Sequence, residues 1–284
     1  MSTEPNLPDR LPPLGDRRRT IAFTSGKGGV GKSSIALNTG LMLAQRGRRV
    51  VLLDGDLGLA SLNVLLGQSP RYDLRDVIAG EKRLHDIMLR GPYDIRIIPA
   101  GSGVAELANL GEEDREELLN QLREVEEEAD YLLIDTGAGI SDTVLNLVIS
   151  SDEAVVITRP EPTALADAYA LIKVIVLHQP SFPFHVLVNM VRDREQALSV
   201  YRSLSQILLK FLGYQPGYAG YVLNDPCVAQ AVIQQVPFCM TWPRAAATRC
   251  LEVLANTLLG AGVETAPESV GFWDRVAGWG RTQG

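Results

Sequence analysis

From Gly26 to Ser33 the chain reads Gly26-Lys27-Gly28-Gly29-Val30-Gly31-Lys32-Ser33, with Ser34 following. That is the G-x-x-x-x-G-K-[ST] spacing of a phosphate-cradling loop. Gly28, Gly29 and Gly31 let backbone N–H groups turn inward around phosphate oxygens, and Lys32 reaches the β and γ phosphates. The Ser33 hydroxyl is placed to ligate Mg²⁺, and the dipole of the helix opened by the loop favours negative charge. The chemistry implied is binding of a nucleoside triphosphate with Mg²⁺. Lys27 is a second lysine beside the loop that the general motif does not require.

Two further segments bring carboxylates to the same place. Asp54 and Asp56 stand in Leu53-Asp54-Gly55-Asp56-Leu57-Gly58, and Asp135 in Leu133-Ile134-Asp135-Thr136-Gly137, each at the end of an apolar run. Open α/β sheets bind ligands at the carboxyl ends of their strands. Asp135 follows its strand as a Walker B aspartate does, so it is expected to hold Mg²⁺ or its water ligands beside Ser33, with Asp54 as a further candidate ligand. Asp56 is the candidate for orienting the attacking water. Any one of these aspartates alone reads equally well as a turn or helix cap.

The elements that must position these residues are legible as alternating short apolar runs and longer helical stretches. Strands are expected at Ile21–Thr24, Val50–Asp54, Ile95–Pro99, Tyr131–Asp135, Ala154–Thr158, Val186–Asn189 and Ala219–Leu223. Helices are expected at Lys32–Arg46, Glu113–Glu128, Pro162–His178, Arg194–Leu212, Val228–Gln234 and Arg244–Leu259. The alternation implies an α/β fold, a doubly wound, mostly parallel sheet with helices on both faces. Residues 1–19 read as a flexible arm, 20–262 as one nucleotide-binding domain, and 263–284 as a tail.

Composition narrows the function. With 46% hydrophobic and 21% charged residues over 284 positions the chain is ordinary globular material. Its net charge of −7 argues against a broad nucleic-acid surface. No apolar run approaches the ~18 residues of a membrane span, and the first residues carry no secretion signal, so a cytoplasmic location is expected. Cys227, Cys239 and Cys250 form no paired motif for a disulfide or zinc.

The form KGGVGKS resembles the deviant phosphate loop of the MinD/ParA class of dimeric ATPases. The resemblance implies a homodimer in the ATP state, with Lys27 crossing to the partner's nucleotide, and it implies that Asp54 and Asp56 move with nucleotide state. Such a lysine would stabilise transition-state charge in trans, as an arginine finger does. Ser61 stands where relatives often have an asparagine. No NKxD guanine motif is present, while Asn189 matches the class's adenine-contacting asparagine, which favours ATP. Otherwise Asn189 caps the helix beginning near Asp193. LLDGDLGLASLNVLLG, DLRDVIAGEKRLHDIML, EPTALADAYALIKV and GYVLNDPCVAQAVIQQVPF further resemble the flagellar-number regulators FlhG and FleN. That subfamily implies the flagellar GTPase FlhF, flagellar switch or C-ring proteins, or the flagellar master transcription activator as partners. The DQAxxLR segment linked to FlhF activation is absent from residues 1–19. A ParA-type DNA-partitioning ATPase and a nucleotide-binding scaffold with negligible turnover are the alternatives.

The tail carries one more signal. Phe272, Val276 and Trp279 recur at i, i+4 and i+7 with Trp273 beside them, so a helix over about 270–280 has one strongly apolar face. It either docks on the body or binds the inner surface of the membrane. The tail resembles the amphipathic membrane-targeting helix of MinD and FlhG, which implies peripheral membrane association through Phe272, Trp273, Val276 and Trp279.

Overall fold

The computed structural model describes residues 18–56, 61–100, 103–106, 110–260 and 271–278. In chain order its elements are β1 (Arg19–Ser25), α1 (Lys32–Gln45), β2 (Val50–Gly55), α2 (Ser61–Leu65), α3 (Leu74–Ile78), α4 (Leu84–Ile87), β3 (Leu89–Arg90), β4 (Arg96–Pro99), α5 (Gly103–Glu106), α6 (Glu112–Glu127) and β5 (Tyr131–Ala138). There follow α7 (Asp142–Ser150), β6 (Glu153–Thr158), α8 (Pro162–His178), β7 (Phe184–Val191), α9 (Arg194–Leu212), β8 (Gly217–Leu223), α10 (Pro226–Gln234), α11 (Phe238–Thr241), α12 (Ala246–Gly260) and α13 (Phe272–Ala277).

The eight strands form one sheet in the order β3-β4-β2-β5-β1-β6-β7-β8. Every pairing is parallel except β3 with β4. Both faces are covered, because successive strand residues point to opposite sides and each side is apolar. Ile21, Phe23, Val50, Leu52 and Leu133 pack with α1 and α12, while Val51, Leu53, Leu132 and Ile134 pack with α6 and α13. Ala22, Ala154 and Val156 join α8 and α9 in a third cluster on that second face.

The expected doubly wound sheet is therefore present, and α8 and α9 run over the expected residues. Several elements were not anticipated. β3 has two residues and pairs antiparallel at the sheet edge, and α7 spans nine residues whose apolar run reads equally well as a strand. Arg19, assigned to the flexible arm, opens β1 and is buried against Glu153 and the Leu258 carbonyl. At α9, Asp193 caps the helix by accepting from the Gln196 amide at 2.7 Å, and Gly213 ends it in the left-handed conformation.

Candidate functional site

β1 delivers the phosphate loop to the centre of the sheet's carboxyl end, between β5 and β6. The turn needs left-handed backbone at Gly29 (φ 72°) and Gly31 (φ 87°), which glycine supplies without a Cβ penalty. Gly26 is required for a different reason. A Cβ there would stand 2.2 Å from the Asp167 carbonyl oxygen, so the loop is seated directly against α8. Val30 is buried beneath the loop, Gly28 and Gly29 are exposed above it, and Lys32, Ser33 and Ser34 open α1.

The two lysines sit in different settings. Lys32 is buried, with Nζ 2.6 Å from Asp135 Oδ1, and Asp135 is fully buried within β5, which runs on three residues further to Ala138 than the expected strand end. Lys27 lies at the surface, its Nζ 2.9 Å from Thr163 Oγ1 and 3.2 Å from Glu161 Oε2. Glu161 also pairs with Arg159, and these cations hold its carboxyl below the usual carboxylate range, Arg159 first and Lys27 second. Arg159 reaches on to the Gly29 carbonyl at 3.4 Å.

Around Lys32 the acids are crowded. Burial, then the neighbouring Asp135 carboxylate, pushes Asp54 up to about 7. Amide N–H groups of Leu62 (3.1 Å) and Asp56 (3.4 Å) bond to its oxygens and partly offset this. Two buried carboxylates facing one lysine, with the Ser33 hydroxyl at the start of α1, are a donor set suited to a hard divalent cation. Such a cation would relieve the repulsion that raises Asp54. Asp56 Oδ1 lies 3.9 Å from where a Cβ on Gly137 would be, so the segments around Gly55 of β2 and Gly137 of β5, here termed the switch segments, come together. The β5 segment is also tied to the loop, since the Gly139 amide donates to the Ser25 carbonyl at 2.9 Å.

Asn189 lies at this site, committed to the loop rather than to α9. Its Nδ2 donates to the Val30 carbonyl at 2.7 Å and its Oδ1 accepts from the Met190 amide at 2.8 Å. A Cβ on Gly31 would stand 2.5 Å from that Nδ2, so glycine and asparagine fit each other. The sequence reading missed Glu161, Thr163 and Arg159. Their signal was available: Arg159-Pro160-Glu161-Pro162-Thr163 follows β6 at the same carboxyl edge as the other carboxylates.

The tail is not with this site. Phe272, Trp273 and Val276, expected to face lipid, are turned inward and no more than 2% exposed in the core beneath α6 and α7. Glu126 caps the helix from outside, accepting from the Phe272 amide at 2.8 Å and the Trp273 amide at 3.3 Å, because Gly271 has no side chain to do so. Burial raises the Glu126 carboxyl above its ordinary range. Arg123 pairs with Asp274 at 2.7 Å, and Arg275 bonds to the Ser150 carbonyl and to Asp152. Trp279 lies outside the described residues.

A mostly parallel sheet with this loop at its central strand and aspartates on the neighbouring strand ends defines a P-loop nucleotide-binding protein. A protein-family model described as "ParA: NUBPL iron-transfer P-loop NTPase" matches residues 16–192. The chain belongs to the ParA/MinD family of P-loop ATPases. It is 38% identical over 84% of its length to the antiactivator FleN of Pseudomonas aeruginosa, covering 85% of that protein. It is 32% identical over 86% of its length to the septum site-determining protein MinD of Bacillus subtilis, covering 90% of it. The MinC:MinD cell division complex of Aquifex aeolicus superposes with a TM-score of 0.68 at 24% identity, over 89% of this chain and 99% of that one, which shows the shared fold.

Proposed function

We propose that the protein is an ATP-driven dimerising switch that associates with the inner face of the membrane and regulates the number or placement of flagella. The observation that carries the nucleotide chemistry is the pair of lysines in unlike settings. Lys32, buried on Asp135, belongs to its own site. Lys27 lies at the surface on Glu161 and Thr163 rather than in its own site, which supports a role on a second copy's phosphates. The flagellar assignment is supported by the similarity to FleN.

In this reading ATP lies over the backbone of Gly26 to Gly31, and its phosphates draw Lys32 away from Asp135. Ser33, Asp54 and Asp135 would hold Mg²⁺, which would supply positive charge against the phosphates. Asp56 orients the attacking water, and Lys27 from the second copy stabilises the charge that develops on the transferred phosphoryl group. Asn189 fixes the loop through Val30, and the resemblance to MinD-like ATPases supports it as the residue beside the adenine. Residues 19–262 form the ATPase body and 263–284 the tail, which exchanges its groove for lipid in the ATP-bound dimer. One such short helix binds lipid weakly, and two on a dimer supply avidity.

Co-sedimentation with anionic liposomes tests the whole reading. The full chain should pellet in ATP with Mg²⁺ and remain in the supernatant in ADP, and a chain ending at Pro267 should not pellet in either. Pelleting that ignores the nucleotide, or no pelleting in any state, would overturn the membrane switch. Steady-state phosphate release tests the enzymatic part separately.

A further inference from the structure

The docked tail is held in a clamp with two jaws, and one of them touches the switch segments. α6 is the first jaw: Glu126 caps the tail's amides and Arg123 holds Asp274. α7 is the second. At its lower end the Ser150 carbonyl accepts from Arg275, and Arg275 Nη2 lies 2.9 Å from Asp152 Oδ1 just beyond the helix. The upper part of the same helix meets both switch segments. Val144 Cγ2 lies 3.4 Å from where a Cβ on Gly137 would be. Leu147 Cδ1 lies 2.9 Å from where one on Gly55 would be, between Asp54 and Asp56.

Nine residues at about 1.5 Å each make a rod of about 13 Å. Packed helices shift as units rather than deforming continuously. We propose that α7 is the element that couples nucleotide state to the tail. A shift of the segments around Gly55 and Gly137 displaces α7, the Ser150 carbonyl and Asp152 lose register with Arg275, and the clamp opens. Burial of the large apolar tail side chains favours docking, and the conformational entropy of ordering the tail opposes it, which leaves the docked state within reach of a modest displacement. The inference rests on the nucleotide-dependent tail release proposed above and names its route.

Hydrogen exchange at the Phe272 and Trp273 amides of the full chain reads the clamp directly. In the parent, a non-hydrolysable ATP analogue with Mg²⁺ should speed their exchange about tenfold over ADP. Val144→Ala removes contact at the far end of α7 without touching the tail. It should leave protection without nucleotide and affinity for the analogue as in the parent, and reduce the response to less than about threefold. Arg275→Met removes the polar ties of the tail to Ser150 and Asp152 at the end of α7, and Asp274→Asn removes one of its ties to α6, and only the first should flatten the response. A parent tail that exchanges alike in every state overturns the nucleotide-gated reading and this route together. A responsive parent with equally responsive Val144→Ala and Arg275→Met chains overturns the α7 route alone.

Discussion

The nucleotide site is organised by a buried carboxylate, Asp135, and the tail groove by a half-buried one, Glu126, and they differ in how far along the chain the partners lie. At the site, Gly26 to Ser33 form one local strand–loop–helix unit whose backbone does most of the work, and Asp135 adds the charge for Lys32. At the groove, six residues of α13 depend on α6 and on the end of α7, well over a hundred positions earlier in the chain. A motif that binds through its own backbone carries its function wherever the fold places it. A motif that works through an apolar stripe does not say which surface the stripe will meet.

The largest expected effect falls on the first region. Lys27→Ala should retain nucleotide binding and lower turnover by about 10³-fold, the scale of a charge supplied in trans. Asp56→Ala should also stop hydrolysis and leave an ATP-bound dimer that persists on size exclusion. Phosphate release at the parental rate in either variant would remove that residue from the chemistry.

A stability comparison sharpens the contrast. Asp135→Asn strands a buried lysine, and breaking a buried pair in this way costs about 3–5 kcal/mol. Trp273→Ala removes a side chain that is 1% exposed, for which a core site would lose a similar amount. Under the proposed release the loss is capped at the docking free energy, because the body would stay folded while the tail leaves. Chemical denaturation should therefore show a shift of only about 1–2 kcal/mol for Trp273→Ala. A loss as large as that of Asp135→Asn would make α13 an integral part of the body and count against a releasable tail.

The same contrast explains what could be read in advance. The positions of the phosphate loop, Asp54, Asp56 and Asp135 were legible because each lies in or just after a β-rich run towards the carboxyl end of its strand, and α8 and α9 were legible from their period and caps. α7 was not, since Val144-Leu145-Asn146-Leu147-Val148-Ile149 is as good a strand as a helix until Ser141 is seen to bond the Val144 amide. The apolar stripe of the tail was legible as a stripe, while its destination depended on Glu126 and Ser150, which nothing local singles out. Lys27 was found and its keepers were not, because Glu161 and Thr163 meet it only through the parallel pairing of β1 with β6.

That unforeseen restraint makes a smaller prediction. Glu161→Gln weakens the hold on Lys27 in the single chain, so basal ATP turnover at low protein concentration should rise by about two- to fivefold, the scale of an exposed ion pair. An unchanged rate across a concentration series would mean that Glu161 and Thr163 do not restrain the lysine.

The smallest effect belongs to pH at the groove. Burial is the largest influence on the Glu126 carboxyl and raises it, against the Phe272 and Trp273 amides and the charges of Arg275 and Arg18, which lower it. A carboxyl raised in the docked state keeps its proton where the released state, near the ordinary value of about 4.3, has lost it. Docking therefore takes up protons, is strongest below the ordinary value, and weakens as pH rises through the raised one. Exchange at Phe272 and Trp273, corrected for the intrinsic pH dependence of amide exchange, should speed by no more than a few-fold across that window. Glu126→Gln keeps an acceptor and removes the titration, so its corrected profile should be flat. Parallel profiles for the two chains would assign the pH response to other groups and leave Glu126 only its role as the cap of α13.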